Sequence, residues 1–134
     1  MGSNGEFASL NFEERKRVIE LFSNENQKLK NKKMIIASTG GNVVNDVLKL
    51  NEFAYEKDCD FCMVVTPHYY LNEMVKEKTQ IDYFEYIASN SKLPVIIYCI
   101  PQYTSVNLSP KTISVLSKHS NIAGMKDRHF SFYF

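Results

Sequence analysis

A chain of 134 residues, 44% hydrophobic and 23% charged, has the length and composition of one globular domain with a buried core. Its net charge of +1 gives no reason to expect a nucleic-acid or membrane-surface partner. No apolar run reaches the roughly 18 residues of a spanning helix, and the glycine-rich, acidic first residues are unlike a secretory or transit peptide, so no address label and no membrane partner are expected.

Gly2 to Glu6 reads as a turn. Asn11 caps a helix, with Glu14 three residues on completing a capping box. Phe12, Arg15, Val18, Ile19 and Phe22 keep helical spacing, all apolar but Arg15, and the helix fades over Asn24 to Lys33. Met34 to Ala37 is a short continuous apolar run, the mark of a strand buried on both faces. Gly40-Gly41 breaks it, and Asn42 caps a second helix with Val44, Val47, Leu48 and Ala54 on one side. Phe61 to Val65 is the next strand, ended by Thr66-Pro67. His68 to Val75 reads as a loop, and Lys76 to Asn90 as a helix turning Phe84, Ile87 and Ala88 inward. The strand Leu93 to Ile100 stops at Pro101. Ser109-Pro110 starts a helix, serine at the cap and proline at the first helical position, with Ile113 and Leu116 facing the core. Ser120 to Asp127 ends the series as a short buried strand delivering Lys126.

Cysteine is sparse: Cys59, Cys62 and Cys99. An odd count without a signal peptide argues for reduced thiols inside a cell. A redox Cys-x-x-Cys needs its first thiol at a helix N-terminus. Here the pair falls where a helix runs into a strand, so a structural role is expected. No second ligand pair accompanies it, and His68, His119 and His129 lack ligand spacing, so neither a metal nor another cofactor is expected.

The order is helix, strand, four times over, with strand starts roughly thirty residues apart, the period of βαβ units. Such units make a parallel sheet. An α/β doubly wound sheet and part of a (β/α)8 barrel both fit, and both put their chemistry at the C-terminal strand ends. Tyr98 and Lys126 fall there. Alone, a strand-end lysine is a solvated cap and a strand-end tyrosine a packing residue. Together with a hydroxyl-bearing glycine turn they are the parts of a Schiff-base site.

Gly2-Ser3-Asn4-Gly5-Glu6-Phe7, Val64-Val65-Thr66-Pro67 with Tyr69-Tyr70, Tyr98 with Pro101, and Gly124-Met125-Lys126-Asp127 resemble the dihydrodipicolinate synthase / N-acetylneuraminate lyase family of class I aldolases. The motifs follow in order from Gly2 to Asp127, including the 28 residues from Tyr98 to Lys126. Ser3-Asn4 in the turn, Phe7 after the glutamate and Met125-Lys126-Asp127 favour the 4-hydroxy-2-oxoglutarate aldolase branch, since the synthase prefers two threonines in the turn. The resemblance implies a (β/α)8 fold and a lyase of 2-oxo acids, cleaving 4-hydroxy-2-oxoglutarate to pyruvate and glyoxylate. It assigns Lys126 to the imine, Tyr98 to the proton shuttle and Ser3 to the relay. Ser3, Asn4 and Gly5 bind the substrate carboxylate, partly through backbone N–H groups. Tyr69, with Tyr70 as the alternative, completes the relay from a neighbouring subunit of a dimer or tetramer. That branch is mitochondrial; otherwise a cytoplasmic location is expected.

A (β/α)8 barrel typically takes about 250 residues. This chain matches from the end of the second strand to the sixth, so an incomplete barrel domain is expected over 1–127 and an aromatic tail foreign to the family over 128–134. A truncated form is therefore expected. With two open sheet edges it should be unstable or partner-dependent and have little lyase activity. A non-catalytic fragment that associates with a full-length relative is the alternative.

Overall fold

The computed structural model describes residues 2–128. The tail expected over 128–134 lies, apart from Arg128, outside the described residues. Two 3₁₀ turns, Ser3–Gly5 and Phe7–Ser9, lead into α1 (Phe12–Gln27), β1 (Ile36–Ser38), α2 (Val44–Glu56) and β2 (Phe61–Val65). There follow α3 (Leu71–Met74), α4 (Glu77–Ser89), β3 (Val95–Cys99), α5 (Pro101–Thr104), α6 (Pro110–Leu116) and β4 (Ile122–Asp127). The four strands form one parallel sheet in the order β1-β2-β3-β4. This is the parallel α/β arrangement expected from the strand period, in the sequential strand order that the resemblance to a (β/α)8 family implies.

The helix starts follow from their caps. Asn11 Oδ1 accepts from the Glu14 N–H at 3.0 Å, and Glu14 Oε2 accepts from the Asn11 N–H at 2.8 Å. Ser109 Oγ accepts from the Thr112 N–H at 3.1 Å, with Pro110 beginning α6. Each interaction satisfies an amide that the helix itself leaves unpaired.

The period-2 alternation of the strands divides the core. On one face Val64, Val95, Ile97 and Cys99 pack against Val47 of α2, Phe84 of α4 and Leu116 of α6. Ala37 and Cys62 pack there against Ile19 of α1 and Leu50 of α2. On the other face Val65, Tyr98 and Ile100 are covered by Phe7 from the N-terminal turns. Cys59 and Cys62 are free thiols within the helix-side core. Burial pushes them up to about 11 and about 12, so the thiolate a redox pair needs is disfavoured.

Several expectations require correction. β1, expected to be buried on both faces, and β4, expected to be a short buried strand, carry exposed residues because they are the outer strands of the sheet among the described residues, a position that an incomplete barrel implies. Met34 and Ile36 are 67% and 42% exposed, and on β4 only Ile122 and Met125 are half-buried. Phe22, placed on the inner face of α1, is exposed. Asn42 does not cap α2; Val43 holds that position, and the Asn42 side chain accepts instead from the His68 N–H at 2.9 Å. The loop after His68 contains α3, and Pro101, expected only to stop β3, also opens α5.

Gly40, just after β1, has no room for a side chain. A Cβ there would sit 2.3 Å from the Val65 nitrogen, whereas at Gly41 the nearest atom is Arg15 Nη1 at 3.7 Å. Gly40→Ala is expected to cost about 1–3 kcal/mol in a urea melt, and Gly41→Ala less than about 0.5 kcal/mol. Equal midpoints would show that this crossing has room. Native Cys59 and Cys62 are expected to resist iodoacetamide at pH 8.5 and to react within minutes in 8 M urea. Because folding holds these thiols neutral, their contribution to stability is full below the unfolded thiol value of about 8.5. It falls as pH rises above that value and is lost by the folded values. Fast native alkylation would contradict the burial.

Candidate active site

Tyr98 is the fourth residue of β3, on the helix-free face, and is 1% exposed. Its register partner on β4 is Lys126, and register partners in a parallel pair project to the same face. Lys126 Nζ lies 4.1 Å from the centroid of the Tyr98 ring, a cation–π contact. The pairing depends on a β-bulge. Val95 pairs with Ile122, but Ile96 pairs with Gly124, so Ala123 is an extra residue. Without that shift Met125 would stand beside Tyr98. With it, Met125 packs on the helix side and Lys126 comes to the mouth.

The third member comes from the far end of the chain. Ser3 Oγ and the Tyr98 hydroxyl share a hydrogen bond of 3.3 Å, 95 residues apart in sequence. The turn that carries Ser3 is closed by the Gly5 N–H donating to Gly2 O and the Glu6 N–H donating to Ser3 O, both at 3.0 Å. Glu6 takes a left-handed conformation, φ 51°, to join the two 3₁₀ turns. Ser3 and Lys126 therefore each meet Tyr98, one at its hydroxyl and the other over its ring. Asn4 and Gly5 are exposed on the same turn, but the Gly5 N–H is already engaged and the expected set of free turn amides is reduced by one. Tyr69 is 68% exposed, its ring edge-on to Tyr70 at 5.0 Å, and it does not join the three. Among the described residues the apolar enclosure expected around Lys126 is missing: its strand is the outer one of the sheet and the residue is exposed.

Four features at this end of the sheet escaped the sequence reading. The Arg15 guanidinium donates to Ser38 O at 3.2 Å and Gly40 O at 2.9 Å and lies 5.5 Å from the Phe7 ring, tying α1 and the N-terminal turns to the end of β1. Burial moves it below the ordinary arginine range. Its break in the apolar spacing of α1 was the available signal. The Thr66 hydroxyl donates to Thr104 Oγ1 at 3.1 Å, and the Thr66 N–H donates to Tyr98 O at 3.1 Å, fixing the backbone behind the phenol. The Tyr83 hydroxyl donates to Gly41 O at 2.9 Å, and burial raises this phenol. Asn42 and His68 pair through side chain and backbone. Beside Ser3 a hollow of about 290 Å³ opens between Phe7, Val65, Ile100, Tyr103 and Thr104. Among the described residues no group of three or more His, Cys, Asp or Glu side chains could hold a metal ion.

The model of the dihydrodipicolinate synthetase family matches residues 1–133. A 4-hydroxy-tetrahydrodipicolinate synthase from Brachyspira hyodysenteriae is 37% identical over 126 residues, 94% of this chain and 41% of the relative. A solved prophage protein of the dihydrodipicolinic acid synthase family from E. coli K12, in complex with pyruvate, superposes with a TM-score of 0.85 at 32% identity. It is matched over 94% of this chain and 41% of its own. A second solved structure, CdNal from Clostridium difficile in complex with mannosamine, gives a TM-score of 0.88 at 28% identity over 98% of this chain and 43% of its own. The chain thus spans about two fifths of the length of the relatives it matches.

Proposed function

The chain belongs to the dihydrodipicolinate synthetase family, and from that footing we propose that it carries the imine-forming centre of a class I lyase of 2-oxo acids, with Lys126 as nucleophile. The observation that carries this reading is the Lys126 amine set over Tyr98, whose hydroxyl meets Ser3. Lys126 Nζ attacks the keto carbon. Tyr98 donates a proton as the carbinolamine hydroxyl departs as water, leaving the imine. The imine accepts the electron pair of the bond between the third and fourth carbons of the 4-hydroxy-2-oxo acid, the 4-hydroxyl loses its proton to Tyr98 and that half leaves as an aldehyde, and the retained half is an enamine of pyruvate. Protonation and hydrolysis return the lysine. Ser3 passes the proton on from Tyr98, Ser3 and Asn4 hold the substrate carboxylate, and Tyr69 serves this relay in a neighbouring subunit. The solved relative holding pyruvate supports the substrate class.

Attack requires an uncharged amine. A lysine is ordinarily protonated at neutral pH, and lowering its pKa by three units means disfavouring the charged form by about 4 kcal/mol. Burial is the usual means, and Lys126 is exposed. Weak turnover by the 134-residue chain is the consequence, and the same exposure favours the second reading, a non-catalytic form that associates with a full-length relative. The named relatives are synthases, while Ser3-Asn4 and Met125-Lys126-Asp127 favour cleavage of 4-hydroxy-2-oxoglutarate to pyruvate and glyoxylate. Pyruvate release from 4-hydroxy-2-oxoglutarate and not from N-acetylneuraminate is expected of the aldolase branch, release from N-acetylneuraminate alone of the lyase branch, and release from neither alongside a pyruvate adduct on Lys126 of the synthase branch.

Pyruvate with borohydride is expected to leave a reduced adduct on the peptide carrying Lys126, substoichiometric but above every other lysine. Lys126→Arg removes it, and Tyr98→Phe slows its formation by roughly 10²-fold. Modification spread evenly over the surface lysines would sink the assignment. Inserting one alanine between Gly124 and Met125 is expected to abolish the adduct with the circular dichroism retained, because Met125 then takes the place beside Tyr98. An undiminished adduct would show that the register of β4 does not aim the lysine.

A further inference from the structure

The contact between Ser3 and Tyr98 stands at the end of a series of supports that begins in the sheet. The Thr39 and Gly40 N–H groups both donate to Met63 O, at 3.0 and 3.4 Å, so the segment after β1 is fastened to β2. From α4 the Tyr83 hydroxyl donates to Gly41 O at 2.9 Å. Within this bracket the carbonyls of Ser38 and Gly40 both accept from Arg15 Nη2, at 3.2 and 2.9 Å. The guanidinium carbon lies 5.5 Å from the centre of the Phe7 ring, and Phe7 packs on Val65, Tyr98 and Ile100. Phe7 and Ser3 belong to one folded unit: the Glu6 N–H donates to Ser3 O at 3.0 Å, and the Ser9 N–H donates to Glu6 O at 2.9 Å. The bond from Ser3 to the Tyr98 hydroxyl is 3.3 Å long. That is beyond the usual range for two hydroxyls, so a slight displacement of the turns ends it.

We infer that Arg15 is a positioning residue of the proton relay: through Phe7 it sets where Ser3 stands against Tyr98. The inference rests on the reading of Ser3 as the relay partner of Tyr98. Residue 15 lies one helical turn before Ile19, which is buried in the helix-side core, so an aliphatic side chain there would satisfy α1. It would not bond the carbonyls of Ser38 and Gly40, and it would not fix the ring of Phe7. A guanidinium does both, because one planar group donates at its edge and offers its charge to an aromatic ring. Arg15 itself reaches neither Tyr98 nor Lys126 and moves no proton. Its removal therefore matters to the relay only while residue 3 has a hydroxyl to place.

Two measurements on the purified 134-residue chain test this: the rate of borohydride trapping of pyruvate on Lys126, and the Cζ carbon resonance of Tyr98, assigned with Tyr98→Phe. Arg15→Met is expected to slow trapping about tenfold at saturating pyruvate, as Ser3→Ala does, and to move the Tyr98 resonance to its position in Ser3→Ala. The double variant is expected to trap no more slowly than Ser3→Ala alone, since both changes break one device. Ser109→Ala, which removes the α6 cap, is expected to leave both readouts at their wild-type values. Losses that add in the double variant, a Tyr98 resonance unmoved by Arg15→Met, or both changes reproduced by Ser109→Ala would each overturn the proposal. Trapping absent from Lys126 in the wild type, with the Tyr98 resonance still moved by Arg15→Met, would remove the imine reading and leave Arg15 as the residue that places Ser3. Should Arg15→Met fail to fold, Phe7→Leu decides by the same two readouts, because it keeps the apolar packing and removes the ring that the guanidinium holds.

Discussion

The parallel pairing of β3 with β4, displaced by one residue at Ala123, is the constraint from which the mouth of this sheet follows. Side chains alternate along a strand, so a shift of one residue exchanges everything the strand presents to its two faces. Above the bulge Ile122 belongs to the helix-side core. Beyond it Met125 still does, while Gly124 and Lys126 are turned the other way. The space beside Gly124 is open, since a Cβ there would meet nothing within 4 Å. The amine can therefore lie over the phenol without any helix or loop to hold it.

The other half of the arrangement is held from the N-terminal side. Ser3 reaches Tyr98 only because the turns that carry it are anchored, and the anchor is Arg15. A half-buried guanidinium is costly unless its donors are used. Here two bonds go to the carbonyls of Ser38 and Gly40 at the end of β1, and the ring of Phe7 lies within cation–π range. Gly40 lets β1 run close enough to β2 for those carbonyls to be in place. Sheet packing, a buried cation and a strand-end glycine thus fix where a serine near the start of the chain meets a tyrosine far along it.

Much of this was legible in sequence because it is written locally. Asn11 with Glu14 and Ser109 with Pro110 marked helix starts that the backbone then used. The apolar runs marked four strands, and the motifs placed Tyr98 and Lys126 at neighbouring strand ends. What stayed hidden was relational. Whether Met34 and Ile36 are core or surface depends on what lies beside β1, which no property of the run itself encodes. Ala123 is apolar and small, and nothing in its type announces that it is unpaired. Asn42 had the chemistry of a cap, but His68 offered it a partner across the sheet end. Arg15 kept the spacing of a core residue, and only the three-dimensional position of Ser38 and Gly40 explains why a cation belongs there.

Closure and chemistry make the same demand on β4. An imine-forming lysine must shed its proton, and taking it out of water is the direct way to do so. A strand edge must pair its amides and carbonyls, and another strand is the direct way to do that. A further strand beside β4 would serve both needs, because Lys126 lies on that outer strand. Tyr98, one strand further in, is already dry and already bonded to Ser3. The difference in burial between these adjacent residues, 28 apart in sequence, is therefore a measure of how far from the rim each strand lies.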